Sequence, residues 1–98
     1  MPSQQLLRMR DYATKGQAEV WGWLQPSAAM MIWGLLERQL LHRITGDVME
    51  IGVYQGRTFL LLCQSLAEGE RAIAIDPFQM PWPDGEVKSF KQYFLANL

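Results

Sequence analysis

Between Val48 and Thr58 a short apolar run, Val48-Met49-Glu50-Ile51, delivers two glycines and opens directly into the leucine-rich segment Phe59–Ala67. A run of this length bounded by glycine reads as a buried strand, and the leucine segment reads as a helix. Twenty positions after Gly56 a second apolar run, Ala72-Ile73-Ala74-Ile75, ends on Asp76. The pattern is a strand–helix–strand unit with a glycine turn after its first strand and an acid at the tip of its second. Units of this kind form half of a nucleotide site.

The turn's residue types follow from what it must do. Gly52 lets the chain reverse just past a buried strand, and Gly56 lets the helix begin close against the strand and a ligand. The first backbone N–H groups of the helix point outward with partial positive charge, which favours a carboxylate or phosphate. Thr58 adds a hydroxyl, and Asp76 at the neighbouring strand tip is placed to accept two hydrogen bonds from a ribose. Together these residues predict an adenosine-type site.

Glu50-Ile51-Gly52-x-x-x-Gly56-x-Thr58 followed by Ile75-Asp76-Pro77-Phe78 resembles the class I S-adenosylmethionine-dependent methyltransferases, most closely their family-24-like branch. In that branch the middle glycine of G-x-G-x-G is often replaced, and Tyr54 stands there in this chain. Gly22-Trp23-Leu24-Gln25-Pro26 is similar to the lead-in to the family's first core helix, so the resemblance covers residues 20–98. It implies S-adenosyl-L-methionine as cofactor. The turn from Glu50 through Gly52, Val53 and Tyr54 to Gly56 would border the methionine moiety, with Thr58 and the helix start at its carboxylate. Asp76 would hold the ribose hydroxyls and Phe78 the adenine. The rival reading is a dinucleotide-binding oxidoreductase. Its fingerprint needs a further close-approach glycine, and Tyr54 would crowd the pyrophosphate there.

At 98 residues the chain is one domain at most, whereas a complete doubly wound fold takes roughly 150 residues or more. The expected fold class is therefore α/β, a partial Rossmann-like half-domain with two or so parallel strands and three to four helices. Residues 1–19 are expected as a loosely attached N-terminal arm, and residues 20–98 as the truncated cofactor-binding domain. A sheet this small leaves apolar surface uncovered, so self-association through an open sheet edge is expected.

With a formal net charge of −1 and scattered Lys and Arg, no basic patch calls for nucleic acid. The single cysteine, Cys63, falls in the leucine run and reads as a small buried apolar residue. His42 has no Cys or His partner for a metal, so no metal site is expected. No apolar run reaches the ~18 residues of a membrane span and no signal peptide is visible, which makes a cytoplasmic location the default.

Along the chain, Ser27 is expected to cap a helix running to about Ile44, with Ile32, Leu36, Leu40 and Ile44 in one stripe and Gly46 closing it. Trp21, Trp23 and Trp33 are expected to cover the core. The leucine helix is expected to stop at Glu68-Gly69. Residues 77–85, rich in proline, read as a loop, with Phe78 equally suited to stacking on a base or tucking under the next helix. That helix is expected from Glu86 onward, carrying Val87, Phe90, Phe94 and Leu98.

Two functions fit this pattern. One is the cofactor-binding part of a methyltransferase acting on a small molecule or sugar hydroxyl. The other is a truncated or degenerate, non-catalytic fragment that serves as an interaction module.

Overall fold

The computed structural model describes residues 3–98. In chain order it holds helix α1 (Gln4–Thr14), a short 3-10 turn (Gly16–Glu19), helix α2 (Pro26–Leu41), strand β1 (Val48–Ile51) and helix α3 (Arg57–Cys63). Strands β2 (Ala72–Ile75), β3 (Gln79–Pro81) and β4 (Val87–Ser89) follow, then helix α4 (Lys91–Asn97). β1 and β2 pair in parallel, Val48 opposite Ala72 and Ile51 opposite Ile75, while β3 and β4 form a separate antiparallel hairpin. The fold is mixed α/β around a two-stranded parallel sheet.

The residues expected as a loose arm are instead part of the core. Ser3 caps α1 by accepting the Leu6 N–H at 3.2 Å, and Met9 and Ala13, four apart on one helix face, are fully or almost fully buried. They join Leu24, Ala29, Leu36 and Leu61 in the larger apolar cluster. The end of α3 explains the attachment. The carbonyls of Gln64, Ser65 and Leu66, just past its last residue Cys63, accept from Gln5 and Arg8 of α1.

Helices α2 and α3 both end earlier than their apolar patterns run. α2 starts at Pro26 with Gln25, not Ser27, at its cap, and stops at Leu41. Arg43, at φ 56°, takes the left-handed position, while its N–H bonds Leu40 O and the Ile44 N–H bonds Gln39 O. These two bonds form the Schellman ending that glycine usually provides. Gly46 lies beyond it. α3 ends at Cys63, six residues before Gly69.

The expected helix from Glu86 is replaced at its start by β4. Pro83-Asp84-Gly85 turns the chain so that Trp82 N–H bonds Glu86 O at 2.7 Å, with Gly85 at φ 88°, and only Lys91–Asn97 is helical. Trp21 and Trp23 are 70% and 79% exposed, against the expectation of core, whereas Trp33 packs on the larger cluster. Among the described residues, no helix is long and apolar enough to cross a membrane.

The parallel sheet is covered on one face only. Val48, Glu50, Ala72 and Ala74 point toward the helices, and α3 packs on that side with α1 and α2 against it. Met49, Ile51, Ile73 and Ile75 alternate to the other side and are 43–72% exposed.

Candidate functional site

The turn between β1 and α3 uses the two glycines as expected. The Gly52 N–H reaches Ile75 O at 2.8 Å and extends the parallel ladder by one bond. Gly52 and Gly56 stand at φ 84° and 99°, in the region where a side chain is strained, and Tyr54 joins them at φ 53°. Val53 is buried and anchors the turn in a second cluster with Phe59 and Phe94. What presses on Gly56 is not the strand: a Cβ there would meet Phe94 Cδ2 at 3.0 Å. α4 therefore packs directly on the turn, and Asn97 of the same helix donates to Gln55 O at 3.0 Å.

Asp76 ties the second strand tip to this turn. Its Oδ2 accepts the Tyr54 backbone N–H at 2.9 Å and its Oδ1 accepts that of Phe78 at 2.7 Å. A carboxylate has about four acceptor sites, so each oxygen keeps room for one further donor. The glycine turn and the acid thus share one edge of the sheet, as their spacing requires.

Glu50 lies on the covered face of β1, partly buried, with Oε1 enclosed and without a hydrogen-bond partner among the described residues. Burial pushes its carboxyl from 4.5 up to about 7, and repulsion from Asp76 adds to the rise. The same surroundings push up the Tyr12 hydroxyl and the Cys63 thiol, in both cases chiefly through desolvation. Glu50 is thus a partly buried acid whose carboxyl holds its proton to higher pH than a solvated one. Thr58 stands in the first turn of α3, partly buried.

An aromatic layer lies over this edge. Tyr54 stacks at a tilt on Trp23 with centroids 5.0 Å apart and meets Phe90 edge-on at 4.8 Å. Phe78, at φ 58°, has its ring against Phe94 at 5.0 Å and Phe90 at 6.0 Å. Of its two expected placements, the tuck against the following helix is the one seen.

Arg57 is the residue that sequence reasoning passed over. Its Nε donates to Gln17 Oε1 at 2.7 Å and a terminal nitrogen donates to Gly22 O at 3.0 Å, while its carbonyl accepts from the Tyr12 hydroxyl at 2.6 Å. These bonds fasten the N-terminal segment to the glycine turn and satisfy Gln17, itself buried. A cation in the first turn of a helix opposes the helix dipole, and that mismatch was the available signal.

An open depression of about 520 Å³ lies elsewhere, between the end of α2 and the start of β1, lined in part by Gln39, Arg43, Thr45, Asp47 and Glu70. Its acids are occupied: Glu70 accepts from the Gly46 and Ala67 N–H groups and Asp47 from Arg71. Among the described residues, no cluster of three or more potential metal-ligating side chains occurs. No family model, curated protein or solved structure matches the chain.

Proposed function

We propose that the chain is the cofactor-binding part of an S-adenosylmethionine-dependent methyltransferase of the class I, Rossmann-like type, with a small molecule or sugar hydroxyl as acceptor. The observation that carries this reading is the bond from Tyr54 N–H to Asp76 Oδ2, which joins the glycine turn to the acid of the second strand. The two remaining acceptor positions of Asp76 suit the vicinal hydroxyls of a ribose. The turn from Glu50 to Gly56 takes the methionine moiety, and Thr58 and the start of α3 its carboxylate.

When bound, the cofactor supplies a methyl group on a sulfonium. In-line transfer of that methyl group to the acceptor's oxygen would depend on how the acceptor is positioned and on a base for its hydroxyl proton. Gly52, Val53, Tyr54, Gly56, Thr58 and Asp76 act in this scheme by binding and orientation alone.

Calorimetry with S-adenosylhomocysteine, S-adenosylmethionine and NAD tests the reading. The adenosyl ligands are expected to bind ahead of NAD, since Tyr54 stands where the close-approach glycine for a dinucleotide's pyrophosphate would be. Asp76→Ala is expected to weaken binding by roughly 1–3 kcal/mol, the scale of hydrogen bonds to a charged group. Binding of NAD without binding of either adenosyl ligand would overturn it.

A second reading, the non-catalytic interaction module, draws on the aromatic layer. Trp23, Tyr54, Phe90 and Phe78 already pack on one another above the strand tips. A folded chain that binds no adenosyl ligand would favour that module.

A further inference from the structure

Hairpin β3–β4 is rooted in the candidate site and otherwise stands in water. Its two stems are Phe78 and Phe90. The Phe90 N–H bonds Phe78 O at 2.9 Å, the Phe78 N–H bonds Asp76 Oδ1 at 2.7 Å, and the Phe90 ring meets Tyr54 of the glycine turn. Between the stems the two strands form a sheet of their own, and every residue from Gln79 to Ser89 is exposed except Met80, which is half-buried. Trp82 is 40% exposed, with the Lys88 ammonium 5.2 Å over its ring. A two-stranded hairpin has no core of its own and is marginally stable in water, so a large apolar side chain on it gains by meeting another surface.

We propose that this hairpin is a lid that closes over the glycine turn and the tip of β2 when a ligand occupies them. The ligand class, an adenosyl compound, is that of the proposed function, and the lid rests on that reading. The joint is Phe78. The ring of Pro77 fixes its own φ, and Phe78 holds φ 58°, a region where a residue with a side chain is strained. Leaving that region relieves the strain, so a change in the direction of the arm is opposed only weakly there. Asp76 supplies the coupling. One of its oxygens accepts the Tyr54 N–H of the turn and the other the Phe78 N–H of the arm, so a ligand that bonds this carboxylate bears on both. Met80 and Trp82, two apart, share one side of the arm, the side on which Met80 is half-buried, and this is the side that turns inward. The reach suffices: Phe78 to Trp82 is about 13 Å in extended backbone, against ~5 Å between paired strands, so the arm spans both strand tips. Closure excludes water from the ligand edge and slows release.

Hydrogen exchange of the full chain, with and without saturating S-adenosylhomocysteine, tests the lid. Without ligand, the amides of residues 79–89 are expected to exchange far faster than those of β1 and β2. With ligand, their exchange is expected to slow several-fold. Replacing residues 80–88 with Asn-Gly joins Gln79 to Ser89, the first pair of the hairpin, by a two-residue turn, and removes only exposed residues and Met80. The shortened chain is expected to release S-adenosylhomocysteine several-fold faster in stopped-flow displacement. If calorimetry shows S-adenosylhomocysteine bound while exchange at residues 79–89 is unchanged, the lid is overturned and the adenosyl reading stands. Release from the shortened chain at the wild-type rate has the same meaning. A wild-type chain that does not bind S-adenosylhomocysteine overturns both.

Discussion

Gly56 and Phe94 stand so close that a Cβ on the glycine would lie 3.0 Å from the ring's Cδ2 and 3.2 Å from Cε2. Gly52, four residues earlier, also has positive φ but has nothing within 4 Å of such a Cβ. The same substitution therefore has two different costs. Gly52→Ala carries only the left-handed backbone, about 1–2 kcal/mol. Gly56→Ala adds overpacking against a buried ring, a further 1–3 kcal/mol or so. Urea denaturation is expected to rank the two variants in that order, and Phe94→Leu in the Gly56→Ala background to recover part of the difference. Equal midpoints for the two alanine variants would show that α4 does not press on the turn.

At Arg43 the backbone argument runs the other way. An arginine occupies the left-handed position of the Schellman ending of α2, where both bonds of the motif are formed. Its side chain is exposed, so little packing is lost on truncation. Arg43→Gly is expected to stabilise the fold by up to about 1 kcal/mol, the strain relieved less the added entropy of the unfolded chain. A thermal melt shifted downward would show that the arginine side chain holds the ending by contacts of its own.

The two parallel strands were legible residue by residue, because Val48–Ile51 and Ala72–Ile75 are short apolar runs bounded by turn residues and an acid. The edge they share with Gly52, Gly56 and Asp76 was legible for the same reason. The helix from Glu86 was misread because Val87, Phe90 and Phe94 satisfy helical spacing, while Val87 in fact pairs with Pro81 across a turn. That turn did have a signal, Pro83-Asp84-Gly85 between two strand-capable runs. The ends of α2 and α3 were not legible. A non-glycine residue terminates the first, and the carbonyls just past the end of the second accept from α1, a segment more than fifty residues away in the chain. The burial of Met9 has the same source, since a mostly polar helix is held by what it bonds to as well as by what it buries.

Arg57 is the cross-link between that N-terminal segment and the candidate site. Removing its guanidinium leaves the Gln17 and Gly22 oxygens without these donors in a partly buried setting. Arg57→Met keeps much of the stem and is expected to cost about 1–3 kcal/mol, with Arg57→Lys recovering little because one ammonium replaces two directed donors. Hydrogen exchange is expected to speed up most in residues 12–24. Uniform acceleration across the whole chain, with no excess in that segment, would remove Arg57 from this role.

Glu50 predicts the direction in which stability depends on pH. Its carboxyl titrates near 4.5 in the unfolded chain and at about 7 in the folded one. Between those values the folded state holds more protons than the unfolded state, so stability falls as pH rises through that window. Below about 4.5 both states are protonated at this residue and its contribution is fully present. Above 7 the folded chain carries a charged, poorly solvated carboxylate beside Asp76, and the contribution is gone. The group is only partly enclosed, so solvent screens the effect and its size falls well short of what full burial would give. Glu50→Gln keeps the shape and removes the charge. Denaturation midpoints of the variant and the wild type are expected to run close together near pH 5 and to diverge toward pH 8, with the glutamine variant the more stable. Parallel curves across the whole range would mean that Glu50 titrates as a solvated acid, and that its enclosed oxygen finds water when the protein is in solution.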